Sequence, residues 1–527
     1  MMKTLVILFA PTNSLHIFDK LFNGNSSFYR SLKWATEIPK KMNFDFPFSS
    51  ETVVFCQNEN ISLCQNEISS LGTKIEVICK EKWDVTTLFE SFSDLSLQKN
   101  ADSILFSFAD CPFLNFNVTK EIIETHKESL SEYTFADGYP YGFAPEMLDS
   151  GSVRILFELS KTSASSEGIK QVSRTSIFDL IKTDINSFDV ETVIADEDAG
   201  LYRLNFNSET KQNTLSCVEM FFDGIENKDV GELSKKAFSN PKVLKTVPAY
   251  YSIQITDKVS SKVIYHPKEV ESLDGKGFMK TEDFTKIIDK IADFSETAVV
   301  SLSAWGDATL HPDFAKFVNI VLSKPNLTVL IEGDCAFISE NDCKTITENF
   351  DFTRVLWLVT LDAFKNETYL KIHSGSEDNF EKSKNAILLL QKYFPGNVYP
   401  QFTRMNENEE DLESFYRFWS AKDSFTNGKC AVQKYESLCS SLPERKSADL
   451  APLERNVCWH LRRDVTVLLN GNVPFCRGCI KDCIIGNILT DDLTEIWKKT
   501  DSEVLNQIKN VYSEKCGKCD EYYIFNF

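Results

Sequence analysis

Four cysteines near the C-terminus have the spacing of a closed metal site. Cys458 and Gly471 are separated by twelve residues, and Cys476 follows after four more. Cys516 and Cys519 come forty positions later, in a Cys-Gly-Lys-Cys motif. The CxxC places two thiolates on one tight turn, and the earlier pair flanks a predicted hairpin that turns around Gly471. Four soft sulfur ligands from two separated elements can enclose one metal centre.

The residues alone leave the identity of the metal open. Zinc and an iron–sulfur cluster both accept four thiolates. Cys479 and Cys483 lie in the sequence CRGCIKDC and are secondary ligand candidates. Two extra thiolates cannot complete a second four-ligand site, so we expect one centre. The nine cysteines between residues 56 and 439 are scattered singly, which favours reduced thiols, most of them small core residues.

Charge and hydropathy argue against two classes of partner. With 57 basic and 77 acidic residues, the formal charge is −20, which repels nucleic-acid phosphates and anionic membrane surfaces. The apolar run Leu5 to Ala10 is far shorter than a membrane span, and no cleavage site follows it. We read it as a buried first strand and expect a cytoplasmic protein that binds neither nucleic acid nor membrane.

The elements that must position these residues indicate an α/β protein of several domains. Early apolar runs alternate with helical stretches such as Val118 to Leu130, which predicts a doubly wound, largely parallel sheet. A second series of strand-like runs, from YYSIQI to VYPQFTRM, is separated by predicted helices that include 281–294 and 379–393, and this spacing is that of a partial βα barrel. The predicted divisions are a first domain at 1–225, a linker at 226–245, a barrel at 246–440 and a small cysteine-rich domain at 441–527.

The C-terminal motifs carry a family resemblance. The spaced Cys458, Gly471 and Cys476, the following GNILTDDLTEIW and the final CxxC resemble the SPASM or shortened "twitch" extension of radical SAM enzymes. This resemblance covers residues 451–527 and implies that the four cysteines hold one auxiliary 4Fe4S cluster. Upstream, the segment ending SLSAWGDATLHPDF resembles the second and third βα units of the radical SAM barrel. The whole chain is similar to a spirochaete family of SPASM proteins.

The barrel departs from the pattern of active radical SAM enzymes. Those enzymes bind a catalytic cluster through CxxxCxxC after the first strand, where the segment ITDKVSSKVIYHP here supplies Lys258, Lys262 and Tyr265. An ammonium has no lone pair, and deprotonating one lysine at neutral pH costs roughly 4.6 kcal/mol. We therefore expect neither a catalytic cluster nor cleavage of S-adenosylmethionine. The amine-binding motif, usually Gly-Glu-Pro, is altered to Gly-Asp-Ala, whose acidic residue is shorter by one methylene, and this leaves Asp307 as a candidate cofactor-binding residue.

Other polar residues of the barrel have two readings each. His266 lies beside the altered segment and is expected to be a hydrogen-bonded loop residue. Asp362 and Arg404 follow strands, where barrels place functional side chains, but either could be a structural ion-pair partner. Trp305 is expected to be a packing residue.

The first domain resembles sugar and acylneuraminate cytidylyltransferases, which have a GT-A-like fold. The segment SFADCPFLN matches their DxP strand end, so Asp110 is a candidate to hold a nucleotide with magnesium. The stretch ADGYPYGFAPEM, with Glu146, resembles their sugar-side loop, and a later acidic segment supplies Glu191 and Asp196. The first loop, however, has neither glycine nor arginine, which hinders close approach of its backbone to phosphates. Lys20 alone stands near the usual lysine.

Three hypotheses follow. The favoured one is a radical-SAM-like SPASM protein with one auxiliary 4Fe4S cluster in a structural, electron-transfer or recognition role towards a peptide or partner enzyme. The first alternative is a sugar nucleotidyltransferase, acting on a sugar nucleotide, with an iron–sulfur appendage. The second is a scaffold protein with structural zinc.

Overall fold

A computed structural model describes residues 1–221, 228–267, 277–374, 377–448, 451–452 and 454–523. The predicted domain boundary at 225 and the first residues of the predicted linker, 226 and 227, lie outside the described residues. The chain forms two compact units, Met1–Leu244 and Lys245–Phe527.

The first unit is built on a seven-stranded sheet, and this confirms the predicted doubly wound α/β fold. The order is β3-β2-β1-β4-β6-β5-β7, in which β6 alone runs antiparallel to its neighbours. The first strand is buried from Leu5 to Ala10 because parallel neighbours lie on both of its sides. The strands are β1 Met2–Ala10, β2 Phe48–Gln57, β3 Glu76–Lys80, β4 Ser103–Phe108, β5 Tyr133–Asp137, β6 Glu146–Asp149 and β7 Val190–Ile194.

The helices of this unit begin at polar caps. Asp84 and Thr87 form a reciprocal capping box, and the Asn115 side chain accepts hydrogen bonds from the first turn of the helix predicted over 118–130. The helices are α1 Ser27–Lys41, α2 Ile61–Ser70, α3 Val85–Lys99, α4 Phe116–Ser129, α5 Ser150–Glu167, α6 Ser176–Ile181, α7 Lys211–Met220, α8 Val230–Ser239 and α9 Pro241–Leu244. The last two occupy most of the predicted linker, because the buried apolar side chains of Val230 and Leu233 give that charged segment a helical face.

The second unit contains a parallel sheet of seven strands, the predicted partial barrel. Its order is β15-β14-β12-β11-β10-β8-β16. The strands are β8 Tyr250–Ile253, β10 Ala298–Ser301, β11 Leu327–Gly333, β12 Val355–Thr360, β14 Val398–Arg404, β15 Ala431–Lys434 and β16 Asp464–Val467. Two small antiparallel pairs accompany it, β9 Lys262–Val263 with β13 His373–Ser374 and β17 Asn472–Cys476 with β18 Cys479–Asn487.

Amphipathic helices cover the sheet of this unit. The helix predicted over 281–294 buries Phe284, Ile287, Ile288 and Ile291 on one side. The helices are α10 Thr281–Ser295, α11 Phe314–Leu322, α12 Glu340–Thr347, α13 Asn366–Ile372, α14 Asn379–Tyr393, α15 Glu409–Trp419, α16 Trp459–Arg463, α17 Leu493–Lys498, α18 Asp501–Ile508 and α19 Glu514–Lys518.

The cysteine-rich region differs from its predicted arrangement as a separate domain. Its first strand, β16, pairs in parallel with β8 and so extends the barrel sheet. The turn expected around Gly471 is present, with φ +82° and Leu468 N–H donating to Asn472. A Cβ at Gly471 would lie 2.7 Å from Leu489 Cγ, so only glycine fits. The strands flanking this turn pair in different sheets, because β17 pairs with β18.

Among the described residues, no helix is both long enough and apolar enough to cross a bilayer.

Candidate metal centre and neighbouring cavities

Of the three barrel positions aligned with cysteines in the sequence analysis, 258, 262 and 265, the last belongs to a buried polar network. The Tyr265 hydroxyl donates to Asp362 Oδ2 at 2.5 Å. Burial, followed by the charge of Asp362, raises the pKa of Tyr265 well above its ordinary value, so the phenol keeps its proton. His373 Nε2 lies 3.2 Å from the same carboxylate, and its Nδ1 lies 3.2 Å from Ser261 Oγ. Asp362 is thus the fully buried centre of a hydrogen-bonded network.

A pair of buried carboxylates lies beside this network. Asp307 N–H donates to the Lys258 carbonyl at 2.8 Å, and Asp307 Oδ1 accepts from Thr309. Asp334 Oδ2 accepts from the Ser260 hydroxyl at 2.5 Å. Burial, and then the charge of Asp334, raises the pKa of Asp307 to about 6. Within the described residues, Asp307 Oδ2 has no hydrogen-bond partner.

Both groups face one cavity of about 240 Å³ inside the barrel. Lys258 itself points to Asp257, with 3.4 Å between Nζ and Oδ1. His266 and Trp305 line the cavity, and the Arg477 guanidinium lies 4.9 Å from the Trp305 ring centre. Of the two open readings for Arg404, the structure shows the ion pair, since its guanidinium binds Glu409 through contacts of 2.9 and 2.6 Å.

The four C-terminal cysteines line a second, smaller cavity of about 30 Å³. Cys458 lies just before α16, Cys476 ends β17, Cys516 lies in α19, and Cys519 directly follows that helix. The structure thus brings together four thiols that are up to 61 positions apart in the sequence. Their function as ligands stays a prediction. Glu436, His460 and Arg477 line both this cavity and the barrel cavity.

The donors around this cavity fit an iron–sulfur cluster. The four thiols line one cavity, and a 4Fe4S cluster spreads its thiolate ligands over several irons. Arg455 and Arg477 also line the cavity and can offset the negative charge of a thiolate-bound cluster. The Glu521 N–H donates to Cys519 Sγ at 3.3 Å, a contact known to tune such centres.

Without metal, burial holds the Cys458 and Cys516 thiols in their protonated form. Burial raises the pKa of Cys458 to about 12 and that of Cys516 to about 11. Binding of a metal centre must therefore release protons, because thiolates are the ligands.

The secondary candidates are placed differently. Cys479 and Cys483 are joined in a disulfide, so neither offers a thiolate in this state. Three residues separate them within β18, and their Cα atoms are 6.0 Å apart, a separation that a disulfide can bridge. The Lys515 Nζ lies 3.3 and 2.9 Å from their sulfurs. Cys439, one of the nine scattered cysteines, lines the small cavity instead. In the sequence, Cys439 precedes Cys458 by nineteen positions, a spacing that does not by itself identify it as a neighbour of the four predicted ligands.

In the first unit, Asp110 lies at the end of β4, beside the loop that follows β1, where a doubly wound sheet places its ligand site. The carboxylate is fully buried and bound by Arg174 through contacts of 3.1 and 2.6 Å. Ser14 donates to it at 2.7 Å. Arg174 also binds Glu209 at 2.8 Å. An internal cation thus lies where the family resemblance would place a metal ion, and no sequence motif identified Arg174 in advance.

The remaining candidates of this unit do not gather around Asp110. Lys20 forms an ion pair with the buried Glu67. Glu191 is exposed on β7, three strands from β4, a separation of about 14 Å at ordinary strand spacing. Asp196 is exposed after β7. Glu146 accepts a hydrogen bond from Tyr133 at 2.9 Å, and burial raises its pKa to about 7.

We predict that Arg174→Ala destabilises the first unit by about 3–5 kcal/mol, because it leaves the buried Asp110 charge unpaired. Hydrogen exchange of β1 and β4 in the full chain should show correspondingly faster opening. Arg174→Lys keeps the charge but not the two-pronged contact and should give an intermediate result. The exposed Arg154→Ala is the control, and an effect as small as that of the control would contradict the pairing.

We predict that Asp307→Asn stabilises the second unit at pH 7.5, by on the order of 1–3 kcal/mol. The folded-state pKa of Asp307 is raised, so the folded chain holds the proton more tightly than the unfolded chain. Stability therefore falls as the pH rises from 3.8, the ordinary pKa of the carboxyl group, to about 6, its pKa in the folded chain. The variant has no carboxyl group at this position and does not lose that stability. Hydrogen exchange of β10 and β11 should show a gain that shrinks at pH 5. Exposed Asp423→Asn is the control, and a gain independent of pH would refute the cause given.

Comparison with known proteins agrees with the C-terminal resemblance. Residues 458–520 match the SPASM family, described as an iron–sulfur cluster-binding domain. Three solved structures are similar in part, each with a TM-score below 0.5. A cytidylyltransferase from Leptospira borgpetersenii is 17% identical, covers 47% of this chain and 98% of its own, and has a TM-score of 0.36. anSMEcpe with bound AdoMet is 16% identical over 52% of this chain and 86% of its own (TM-score 0.37). BtrN in complex with AdoMet and 2-DOIA is 14% identical, covers 53% of this chain and 100% of its own, and has a TM-score of 0.34.

One relative is similar over most of the sequence. It is a protein of the spirochaete Treponema pallidum, strain Nichols, named only as an uncharacterized protein. It is 38% identical over 363 residues, which are 67% of this chain and 98% of the relative. The chain therefore belongs to the family of this spirochaete protein, and it carries a SPASM iron–sulfur cluster-binding domain at its C-terminal end.

Proposed function

We propose that this protein holds one auxiliary 4Fe4S cluster through Cys458, Cys476, Cys516 and Cys519, and that it does not itself cleave S-adenosylmethionine. The observation that carries the proposal is the small cavity lined by all four thiols within the matched SPASM region. Such a cluster supplies one-electron transfer and a rigid cross-link between chain segments.

The barrel residues support the second half of the proposal. Lys258 and Lys262 offer ammonium groups, which cannot bind iron without losing a proton. The Tyr265 hydroxyl donates a hydrogen bond to the buried Asp362 carboxylate. Replacing that proton with iron would take a hydrogen-bond donor away from the buried Asp362 carboxylate, which is unfavourable for a buried charge.

The position of the small cavity favours a recognition or electron-transfer role over a purely structural one. Because Glu436, His460 and Arg477 line both cavities, a cluster would lie next to whatever binds inside the barrel. The barrel cavity presents the carboxylates of Asp307 and Asp334, which favour a ligand carrying a positive charge. A peptide amine or a side chain of a partner protein has that chemistry.

The two alternatives receive different support. The nucleotidyltransferase hypothesis needs a free carboxylate at Asp110, whereas Arg174 binds both of its oxygens. The zinc hypothesis uses the same four thiols and is separated by metal content. We also infer a cytoplasmic location, since the nine cysteines between Cys56 and Cys439 are free thiols.

Anaerobically prepared wild-type protein should contain about four iron and four sulfide per chain, with visible cluster absorption. Cys516→Ala should lose that absorption and loosen mainly the C-terminal region, because cluster binding free energy is also folding free energy. Cys217→Ala, which removes a buried thiol of the first unit, is the control. One zinc per chain in place of iron would favour the scaffold alternative, and full iron content in Cys516→Ala would contradict the ligand set.

Cluster-loaded protein given dithionite and S-adenosylmethionine should form no 5′-deoxyadenosine above a control without enzyme. The physical reason is the absence of thiolates at positions 258, 262 and 265. Product measurement by chromatography, with an active radical SAM enzyme in parallel, provides the test. Formation of 5′-deoxyadenosine that depends on this protein would overturn the second half of the proposal.

A further inference from the structure

Cys439 places a fifth thiol at the small cavity. Its side chain lines this cavity together with those of Cys476 and Cys519. The loop after Cys476 also approaches it, since a Cβ at Gly478 would lie 3.0 Å from Cys439 Sγ. Cys439 thus lies at the same cavity as the predicted ligands.

The turn that carries Cys439 is fastened to the segment after Cys519. Ser437 Oγ donates to Asp520 Oδ1 at 3.0 Å, and Leu438 N–H donates to the Glu521 carboxylate. Leu442 N–H closes the turn on the Ser437 carbonyl at 2.9 Å. These bonds keep Cys439 next to Cys519.

The five thiols are not equivalent. Cys516 lies within α19, whereas the turn that carries Cys439 is bonded to the two neighbours of Cys519 in the chain, since Ser440 Oγ donates to the Lys518 carbonyl at 3.5 Å and Ser437 Oγ donates to Asp520. A 4Fe4S cluster takes four thiolates, one for each iron. An iron that loses the Cys519 thiolate therefore has a second sulfur donor within reach, and an iron that loses Cys516 does not have Cys439 as a direct neighbour of the lost ligand.

We propose that Cys439 is a reserve ligand of the cluster site and binds the iron that Cys519 vacates. This inference rests on the proposed function and extends its ligand set. In the exchange, the bond between iron and Cys519 breaks and the Cys519 thiolate takes up a proton, while the Cys439 thiol releases its proton and its sulfur forms the new iron bond. No electron is gained or lost.

The test compares iron, sulfide and electron paramagnetic resonance spectra of four anaerobically reconstituted proteins: wild type, Cys519→Ala, Cys439→Ala/Cys519→Ala and Cys343→Ala/Cys519→Ala. Cys343 is a buried free thiol in α12 of the same unit and serves as the matched control. Cys519→Ala and the Cys343 double variant should keep most of the wild-type iron, with a shifted spectrum. The Cys439 double variant should hold about tenfold less iron, within the range expected for losing a ligand.

Two outcomes would overturn the inference while leaving the proposed function intact. One is a wild type with a full cluster and a Cys519→Ala variant as empty as the Cys439 double variant. The other is a Cys439 double variant that keeps as much iron as Cys519→Ala. A wild type without iron would overturn the proposed function and this inference together.

A measurement on wild-type protein covers the case in which the variants fail to fold. Thiol alkylation followed by mass spectrometry should show Cys439 protected in loaded protein and modified about tenfold faster after the metal is stripped, as for Cys519. Cys430, a partly buried thiol of the same unit, should not change. Equal modification of Cys439 before and after stripping would contradict its position at the cluster.

Discussion

The parallel pairing of Asp464–Val467 with Tyr250–Ile253 determines where the C-terminal sulfurs lie. This short strand belongs to the cysteine-rich region by sequence and to the barrel by hydrogen bonding. Cys458 precedes it by six residues, and Cys476 follows it across the turn at Gly471. Because the strand is fixed in the sheet, two of the four thiols are fixed relative to the barrel, and the CxxC segment completes the site.

A buried carboxylate organises the polar interior of the barrel. Tyr265 and His373 form hydrogen bonds to the Asp362 carboxylate, and Ser261 forms one to His373. The Thr403 N–H adds a contact of 2.6 Å to the other Asp362 oxygen. The buried carboxylate thus obtains donors from three chain segments, at Tyr265, His373 and Thr403, which meets the requirement that buried polar groups be satisfied.

Much of this architecture could be predicted from the sequence because its signals are local. Apolar runs gave the central strands, and the helix expected over 379–393 has those bounds in the structure. The four cysteines carry a regular spacing. Contacts between distant segments had no such signal. Arg174 reaches Asp110 across 64 positions, and Cys439 shares a cavity with Cys519 across 80. The placement of β16 in the barrel sheet was missed for the same reason, since four residues carry little information about a partner strand.

The two cavities are neighbours, because three side chains line both of them: Glu436, His460 and Arg477. With a cluster bound, one added electron would act on a charged guest in the barrel. At about 10 Å and an effective dielectric constant near 20, that interaction is worth ~1.7 kcal/mol, more than a tenfold change in dissociation constant. Linkage is reciprocal, so the guest would shift the midpoint potential of the cluster by the same energy, about 70 mV for one electron. The redox state of the cluster would then depend on whether the barrel cavity is occupied.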